Sequence, residues 1–142
     1  MRDLDIGLRA VLTADSGAGG VSMLATGGIH QLRAPEKTVE PYVVFGEASD
    51  FGLYGFGNSL QADNVFYFFR AVAVDANESA ASVVAKIADR LKVVLTNPTL
   101  TVTGKTVISC RFDRSYPPLP ERDEINQRDI VSRGILAEVW LA

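Results

Sequence analysis

Few residues of this chain are of the types that commonly do chemistry. It has one histidine, His30, and one cysteine, Cys110, so a Ser-His-Asp or Cys-His site would have to use His30. Cys110 lies in a β-prone run on the predicted face of Ile108 and Phe112, which favours a buried thiol over a nucleophile. We expect His30 to be structural or interfacial, and we predict no catalytic residue in the chain.

Motifs that hold metals or phosphates are missing from the sequence. No His or Cys residues recur at metal-ligand spacing, so we predict no metal site. The glycine-rich run at residues 17–20 follows a predicted helix, not a strand, and lacks the Lys-Ser/Thr pair of a phosphate-binding loop. We interpret this run as a connection and expect no cofactor.

An acidic cluster in a proline-flanked segment is the remaining candidate for catalysis. Glu121, Asp123 and Glu124 surround Arg122 in residues 116–124, which we predict to be a loop because of their prolines. Paired carboxylates do acid–base work only inside a pocket that shifts their pKa values. Solvated side chains are our first interpretation, the rim of a subunit interface (Glu121, Arg122 and Asp123) the second, and a catalytic pair a distant third.

Length and composition indicate one domain spanning residues 1–142 and exclude several classes of protein. The net charge of −3 argues against a non-specific nucleic-acid binder. The longest apolar runs are shorter than the ~20 residues of a membrane span, and charges stand where the apolar part of a signal peptide would be. A single cysteine excludes an intrachain disulfide. We expect a cytoplasmic product with no membrane partner.

The periodicity of apolar residues predicts an α+β fold, with a mainly antiparallel sheet of four to six strands and two helices packed on one face. Residues 21–25 fit neither pattern. Helices are predicted at 3–14 and 79–96, and strands at 29–33, 42–49, 65–75, 105–115 and 127–141, with 100–103 as a further short strand beside 105–115.

The predicted strand at residues 65–75 is apolar on both faces. Such a strand needs both faces covered, either by the chain itself or by a neighbouring subunit. One face carries Val65, Tyr67, Phe69, Ala71 and Ala73, and the other carries Phe66, Phe68, Val72 and Val74, interrupted by Arg70.

The segment at residues 50–63, which precedes that strand, alternates glycines with large apolar side chains. We predict an extended loop that is too apolar for water and too rich in glycine for a core. Packing over the chain's own sheet is one interpretation, and contact with a partner is the preferred one. The apolar side chains assigned to this contact are Phe51, Leu53, Tyr54 and Phe56.

This order of elements, with the segments IHQLRAP at 29–35 and PYVVF at 41–45, resembles the tail completion, or tail terminator, proteins of long-tailed bacteriophages and gene-transfer particles. The resemblance covers nearly the whole chain, although its motifs are diffuse. It implies a small α+β subunit of a homo-oligomeric ring, usually a hexamer. The ring caps the head-proximal end of the tail tube, stops its polymerisation and joins the tail to the head.

The resemblance also implies partners and a location. The partners are the tail tube protein and a head connector or stopper protein, with DNA passing through the lumen without specific binding. The protein would assemble in the host cytoplasm and end in the tail or neck of the virion. The segment at residues 50–63 is longer and more apolar than the family pattern, and we predict that it reaches into a neighbouring subunit or ring.

The sequence leaves three other functions open. A head-side connector or adaptor ring is the closest alternative, ranked second because this sequence is rich in strands. A small enzyme using the carboxylates of residues 121–124 would need them in a pocket. A monomeric ligand-binding domain would need an enclosed apolar cavity.

Overall fold

The computed structural model describes residues 2–35, 38, 41–54, 60–74, 79–124 and 127–142, with the backbone alone at residues 2, 50–54, 60–61 and 79. In these residues the chain forms three helices and six strands. In chain order they are α1 (Arg2–Ala14), α2 (Val21–Leu24), β1 (Ile29–Gln31), β2 (Tyr42–Tyr54), β3 (Leu60–Val74), α3 (Ser79–Val94), β4 (Val107–Ser115), β5 (Leu119–Asp123) and β6 (Arg128–Leu141).

The six strands form one sheet in the order β1-β2-β3-β6-β4, with β5 also paired to β6. β1 runs parallel to β2, and every other described pair is antiparallel. β4 pairs with residues 135–141 of β6, and β5 pairs with residues 128–132, so two shorter strands lie beside one long one. The predicted α+β fold with a mainly antiparallel sheet is confirmed.

The helices pack on one face of this sheet and bury the core there. Leu4, Leu8 and Leu12 recur every four residues along α1, and all three are fully buried, as expected of an amphipathic helix. α3 contributes a similar stripe that includes Ile87 and Leu91. The short α2 adds a third helix in the region where the sequence pattern was ambiguous.

The two faces of β3 have the apolar character that the sequence predicts, but they are buried to different extents. Tyr67 and Phe69 point toward the helices and are fully buried, whereas Phe66 and Phe68 point the other way and are half-buried. We call the sheet surface that carries Phe66 and Phe68 the open face, because the helices of the core cluster pack on the opposite side.

The prediction of a loop over residues 50–63 is wrong for the described part of that segment. β2 continues to Tyr54 and β3 begins at Leu60, with Phe51 paired to Asn64 and Leu53 to Ala62. Antiparallel pairing satisfies the backbone groups of these residues, which explains why a glycine-rich run can be a strand. We call residues 51–62 the hairpin arm; residues 55–59, including Phe56, lie outside the described part.

The loop predicted over residues 116–124 is also partly a strand. β5, Leu119–Asp123, pairs with β6 even though it contains Pro120. Proline is tolerated on an edge strand, where one side of the backbone has no ladder to complete. The tertiary pairing therefore overrides a local composition that is typical of loops.

Ile108 does not share a face with Cys110, contrary to the prediction. The β4–β6 register shifts between Val107 and Ser109, and such a β-bulge re-aims the side chain within it. As a result Ile108 is 59% exposed while Cys110 is buried. The short strand predicted at 100–103 is reduced to an isolated bridge between Val102 and Lys105.

Candidate functional site

A cleft of about 570 Å³ lies on the open face, where β2, β3 and β6 run side by side. The residues that follow β1 and the C-terminal end of β5 flank it. Its charged lining includes Arg70 and Arg122, and its apolar floor consists of Val44, Phe68, Val72 and Ile130. The cleft therefore combines apolar contact area with charged groups.

Leu32 stands at one wall of this cleft in an unusual conformation. Its φ is 63°, a left-handed value that costs a branched side chain free energy, and its N–H donates to the carbonyl of Phe45 at 2.8 Å. Its side chain is 67% exposed and lies over Gly46, where a Cβ would come within 2.8 Å of Leu32 Cδ2. Because Gly46 has no side chain, the exposed Leu32 can pack against the sheet at this position.

The carboxylates predicted for catalysis are each paired with an arginine rather than with one another. Glu121 forms an ion pair with Arg70 on the neighbouring part of the open face, and Asp123 lies 3.5 Å from the Nε of Arg128. Glu121 and Asp123 are two residues apart on β5, and each contacts a different arginine. Together these side chains form an ion-pair network. Such a network suits recognition of another surface better than proton transfer.

The remaining cations and Tyr42 complete the cleft. Arg122 pairs with Asp129 at 3.1 Å, and none of the described residues pairs with the exposed Arg33. Burial raises the pKa of the Tyr42 phenol, and the negative charge of Asp123 raises it further. Tyr42 therefore keeps its hydroxyl proton over the physiological range and can donate a hydrogen bond.

A second depression of about 430 Å³ adjoins the cleft and shares Arg70 with it. Tyr116, Pro117 and Leu119 supply most of its apolar lining, and Leu119 is 55% exposed. We call the two depressions together the open-face groove. The Arg70–Glu121 ion pair lies between them, so the groove is an apolar surface interrupted by charge.

A third group on the open face was not found by sequence reasoning. Glu138 is only 6% exposed, and its Oε1 accepts hydrogen bonds from Arg111 Nη2 at 3.2 Å and Trp140 Nε1 at 2.5 Å. The i, i+2 spacing of Glu138 and Trp140 places them on one face. The partnership with Arg111 depends on cross-strand register, which the sequence does not reveal.

Polar contacts on the helix side tie the helices to each other and to the sheet. Asp15 accepts from Arg90 Nε at 2.8 Å and Nη2 at 2.6 Å, and from the backbone N–H of Val21 at 2.8 Å. The hydrogen bonds from Arg90 hold the pKa of Asp15 below its usual value. The Asp5 carboxylate accepts from the Tyr67 hydroxyl at 2.5 Å, which satisfies a buried phenol.

The only histidine and the only cysteine of the chain both lie within hydrogen-bond distance of a backbone carbonyl. His30 Nε2 lies 2.9 Å from the carbonyl of Gly27 and its ring packs edge-on to Tyr42. The Cys110 thiol donates to the carbonyl of Leu95 at 3.7 Å, and burial raises its pKa to about 11. The predicted buried thiol is confirmed.

The structure separates the two groups of residues predicted to form an interface. Glu121, Arg122 and Asp123 border the groove, whereas Phe51, Leu53 and Tyr54 belong to the hairpin arm. The two are linked along β3, which passes the groove at residues 68–72 and reaches the arm at residues 60–62. At about 3.3 Å per residue this distance is roughly 20–40 Å.

The comparisons with known proteins give a fold but no family. No family model matches the chain and no curated protein sequence matches it. A solved chain from the virion of a native gene transfer agent particle matches with a TM-score of 0.72 and 13% identity, covering 97% of this chain and 96% of that chain. Another solved chain matches with a TM-score of 0.51 and 13% identity, covering 98% and 95%.

Membrane-spanning helices and metal-binding clusters are not seen in the described residues. No helix in the described residues is long and apolar enough to cross a membrane. Among the side chains that the structure describes, no three His, Cys, Asp or Glu residues come together as a group that could hold a metal ion. The open-face groove is the candidate functional site of the described residues.

Proposed function

We propose that this protein is a structural subunit of a phage-like particle. It assembles into a ring at the head-proximal end of the tail tube, ends polymerisation of the tube and joins the tail to the head connector. The observation that carries this proposal is the fold shared, over nearly the full length of both chains, with a chain of a gene transfer agent virion. The tail-terminator resemblance of the sequence supports the position in the particle.

The surface of the subunit supports a role in assembly. Leu32, Tyr116 and Leu119 are large apolar side chains that stay exposed beside the groove, and exposed apolar patches with a polar rim are typical of protein interfaces. The arginine–carboxylate pairs around them supply charge complementarity, which sets register and partner choice. A ring subunit needs such a surface toward each neighbour.

The charge of the subunit suits a channel for DNA. With a net charge of −3, a ring would not gain affinity for the duplex by releasing counterions. DNA would pass through the lumen without being held there. The tail tube protein and a head connector or stopper protein are the partners on the two ends of the ring.

Two alternatives have observations in their favour. A head-side adaptor ring would fit the same shared fold, because the likeness to a virion chain does not specify a position within the particle. A ligand-binding domain is favoured by the cleft of about 570 Å³, which falls within the usual size range of small-molecule sites.

Negative-stain microscopy of the purified protein, alone and mixed with tail tubes of the cognate particle, tests the proposal. We expect rings with a central hole, and we expect them at one end of each tube. Rings that bind heads but not tubes would favour the adaptor. A monomer that binds neither heads nor tubes would contradict both ring proposals.

The same experiment has a matched control in the tube protein alone. Tubes polymerised without this protein should vary in length and lack the terminal ring. Adding the protein to growing tubes should stop elongation, measured as a narrower length distribution. Unchanged elongation would contradict the capping function while leaving ring formation to be judged by the images.

A further inference from the structure

We propose that residues 116–120 of one copy of this chain, which we call the proline ridge, dock into the cleft on the open face of a second copy. The inference rests on the proposed ring, because it names the surfaces through which neighbouring subunits join. Each copy would offer its ridge to one neighbour and receive the ridge of the other in its cleft.

The sequence makes the ridge rigid and extended. It reads Tyr-Pro-Pro-Leu-Pro, and each proline holds its φ at about −65° and restricts the residue before it to β or polyproline II conformation. The fold anchors the ridge, because the Tyr116 N–H donates to the carbonyl of Gly134 at 2.9 Å and Leu119 pairs with Ser132 on β6. The ridge therefore loses little conformational freedom when another surface binds it.

The ridge presents apolar side chains and free carbonyls to the outside. All five of its residues are exposed, Tyr116 by 47% and Leu119 by 55%. Polyproline II has no internal hydrogen bonds, and none of the described residues donates to the carbonyls of Tyr116, Pro117 and Pro118. Preformed proline-rich segments of this kind dock into aromatic-lined grooves.

The cleft offers the complementary groups. Its floor is apolar, its lining includes the aromatic rings of Tyr42 and Phe68, and its volume of about 570 Å³ is within the range of ligand sites. The Tyr42 hydroxyl and the Arg33 guanidinium make no hydrogen bond with another described residue. Two donors are therefore available to the carbonyls of a ridge.

Carboxylates in the cleft do not oppose this contact. Asp123 is paired with Arg128, and Glu124 is exposed to water. The ridge itself contains no charged residue, so it brings no like charge toward them. The match is between donors and acceptors and between apolar surfaces, and it does not depend on opposite charges.

The fold excludes the chain's own ridge as the occupant. The ridge joins β4 to β5 at one edge of the sheet, and none of its residues lines the cleft. Leu32 and Arg33 of the cleft follow the opposite edge strand, β1, which lies three strand spacings from β6, or roughly 15 Å. A contact between opposite edges of identical subunits is head-to-tail, and it closes into a ring when the rotation per subunit divides a full turn.

Site-specific photo-cross-linking tests this placement directly. Tyr116 is replaced by p-benzoylphenylalanine, and ¹⁴N- and ¹⁵N-labelled proteins are mixed before irradiation so that cross-links between copies are identified by mass. We expect mixed-isotope cross-links from position 116 to the cleft residues 32–35, 38 and 42. The same photo-reactive residue at Ile108, which is exposed on β4 outside both depressions, should give no cross-link to the cleft.

Truncating the apolar side chain of the ridge gives a second, independent test. Leu119→Ala should weaken self-association about tenfold, because it removes an apolar anchor from the interface. Ile108→Ala is the matched control, since Ile108 is similarly exposed on a strand but lies outside both depressions. Folding is checked by circular dichroism and association by analytical ultracentrifugation.

The hydroxyl donor of the cleft is tested in the same way. Tyr42→Phe keeps the aromatic ring and removes the hydrogen bond to the ridge, so it should weaken self-association about threefold to tenfold. Tyr116→Phe is the control, because the ridge offers its carbonyls and apolar surface to the cleft. Equal association of the two variants would contradict the binding of the ridge by the Tyr42 hydroxyl.

The outcomes separate this inference from the proposed ring. Rings whose cross-links from position 116 map elsewhere, or rings that form equally well with Leu119→Ala, would overturn the cleft as the docking site of the ridge and leave the ring intact. Closed dimers with cross-links to the cleft would support the docking and contradict the ring. A protein that stays monomeric, alone and with tail tubes, would overturn both.

Discussion

The two faces of the sheet differ in how deeply their apolar residues are buried. Phe69 and Phe68 are neighbours on β3, yet Phe69 is fully buried under the helices and stacks on Phe45, whereas Phe68 lines the open-face groove and is half-buried. Burial of the first kind stabilises the fold. Partial burial of the second kind leaves apolar area in contact with water, so the two faces of one strand differ in how far they contribute to the core.

The polar groups on the two faces differ in the same way. On the helix side, Asp15 and Arg90 join the end of α1 to α3 through two hydrogen bonds of a single ion pair. On the open face, Arg70 and Glu121 pair across strands inside the groove, with both side chains about a third exposed. The first pair joins two helices, and the second pair lines the open-face groove.

The largest expected effect is a difference in the free energy of unfolding between matched substitutions on the two faces of the sheet. Phe69→Ala should lower the free energy of unfolding by about 3–5 kcal/mol, because it leaves a cavity in a close-packed core. Phe68→Ala, the matched change one residue earlier, should cost about 1 kcal/mol because the side chain is already half in water. Urea unfolding followed by circular dichroism measures both. Equal losses would mean that the open face is packed as tightly as the core.

Thiol labelling tests how far the helix-covered face extends to the edge strand β4. Burial raises the pKa of Cys110 to about 11, so at pH 8 its thiolate should be about a hundredfold scarcer than that of an exposed cysteine with an ordinary pKa. The control is Ile108→Cys in a Cys110→Ala background, because the bulge exposes position 108. Equally fast labelling of the two would contradict the bulge and the burial of Cys110.

Removing the Asp15–Arg90 ion pair, which joins α1 to α3, should give a smaller loss of stability that depends on pH. Asp15→Asn should lower the free energy of unfolding by about 1 kcal/mol near pH 7, since it removes the charge that accepts two hydrogen bonds from the partly exposed Arg90. The pKa of Asp15 is lowered in the folded state from an ordinary value of 3.8, so its contribution is present above that pH and is lost as the pH falls through the folded pKa.

Unfolding of the wild type and of Asp15→Asn should therefore be compared from pH 7 down to pH 2. The gap between their free energies of unfolding should narrow below about pH 4 as the wild-type carboxyl takes up its proton. Asp129→Asn, in an exposed ion pair, serves as the control and should show almost no gap at any pH. A gap that stays constant would contradict the role of the Asp15 charge.

The smallest stability effect is expected in the groove. Glu121→Gln should change the free energy of unfolding by about 1 kcal/mol or less, because its pair with Arg70 is partly exposed to water. Under the proposed interface the same change should weaken self-association, measured by sedimentation. If the variant loses stability but associates normally, the ion pair stabilises the fold and is not part of an interface. The two faces would then not differ in the role of their ion pairs.

The sequence predicted the elements whose signals are local. The leucines of α1 recur at helical spacing, β3 alternates on two apolar faces, and the order of elements predicted an α+β fold, all as observed. The predictions that are wrong concern strands whose hydrogen-bonded partner strands lie elsewhere in the chain. Pro120 and the glycines of the hairpin arm read as loop residues because local composition carries no information about β6 or about the returning strand.

The candidate site was predicted in part. Glu121 and Asp123 were named, but their partners Arg70 and Arg128 were not, because those pairs depend on strand register. Leu32 was not singled out, since a left-handed leucine held over Gly46 has no signature in the sequence. The separation of the arm from the groove became visible only once β2 and β3 were seen as one long hairpin.

The sequence alone determined which side chains are apolar and at what spacing, and from this followed the helices, most strands and the two-faced character of β3. Only the tertiary structure decided which face the helices cover. Hydrogen bonding between strands far apart in the chain fixes the register, and register fixes the side on which each residue lies. A face on which no helix of the described residues packs, with Leu32 and Leu119 exposed on it, is therefore a property of the fold.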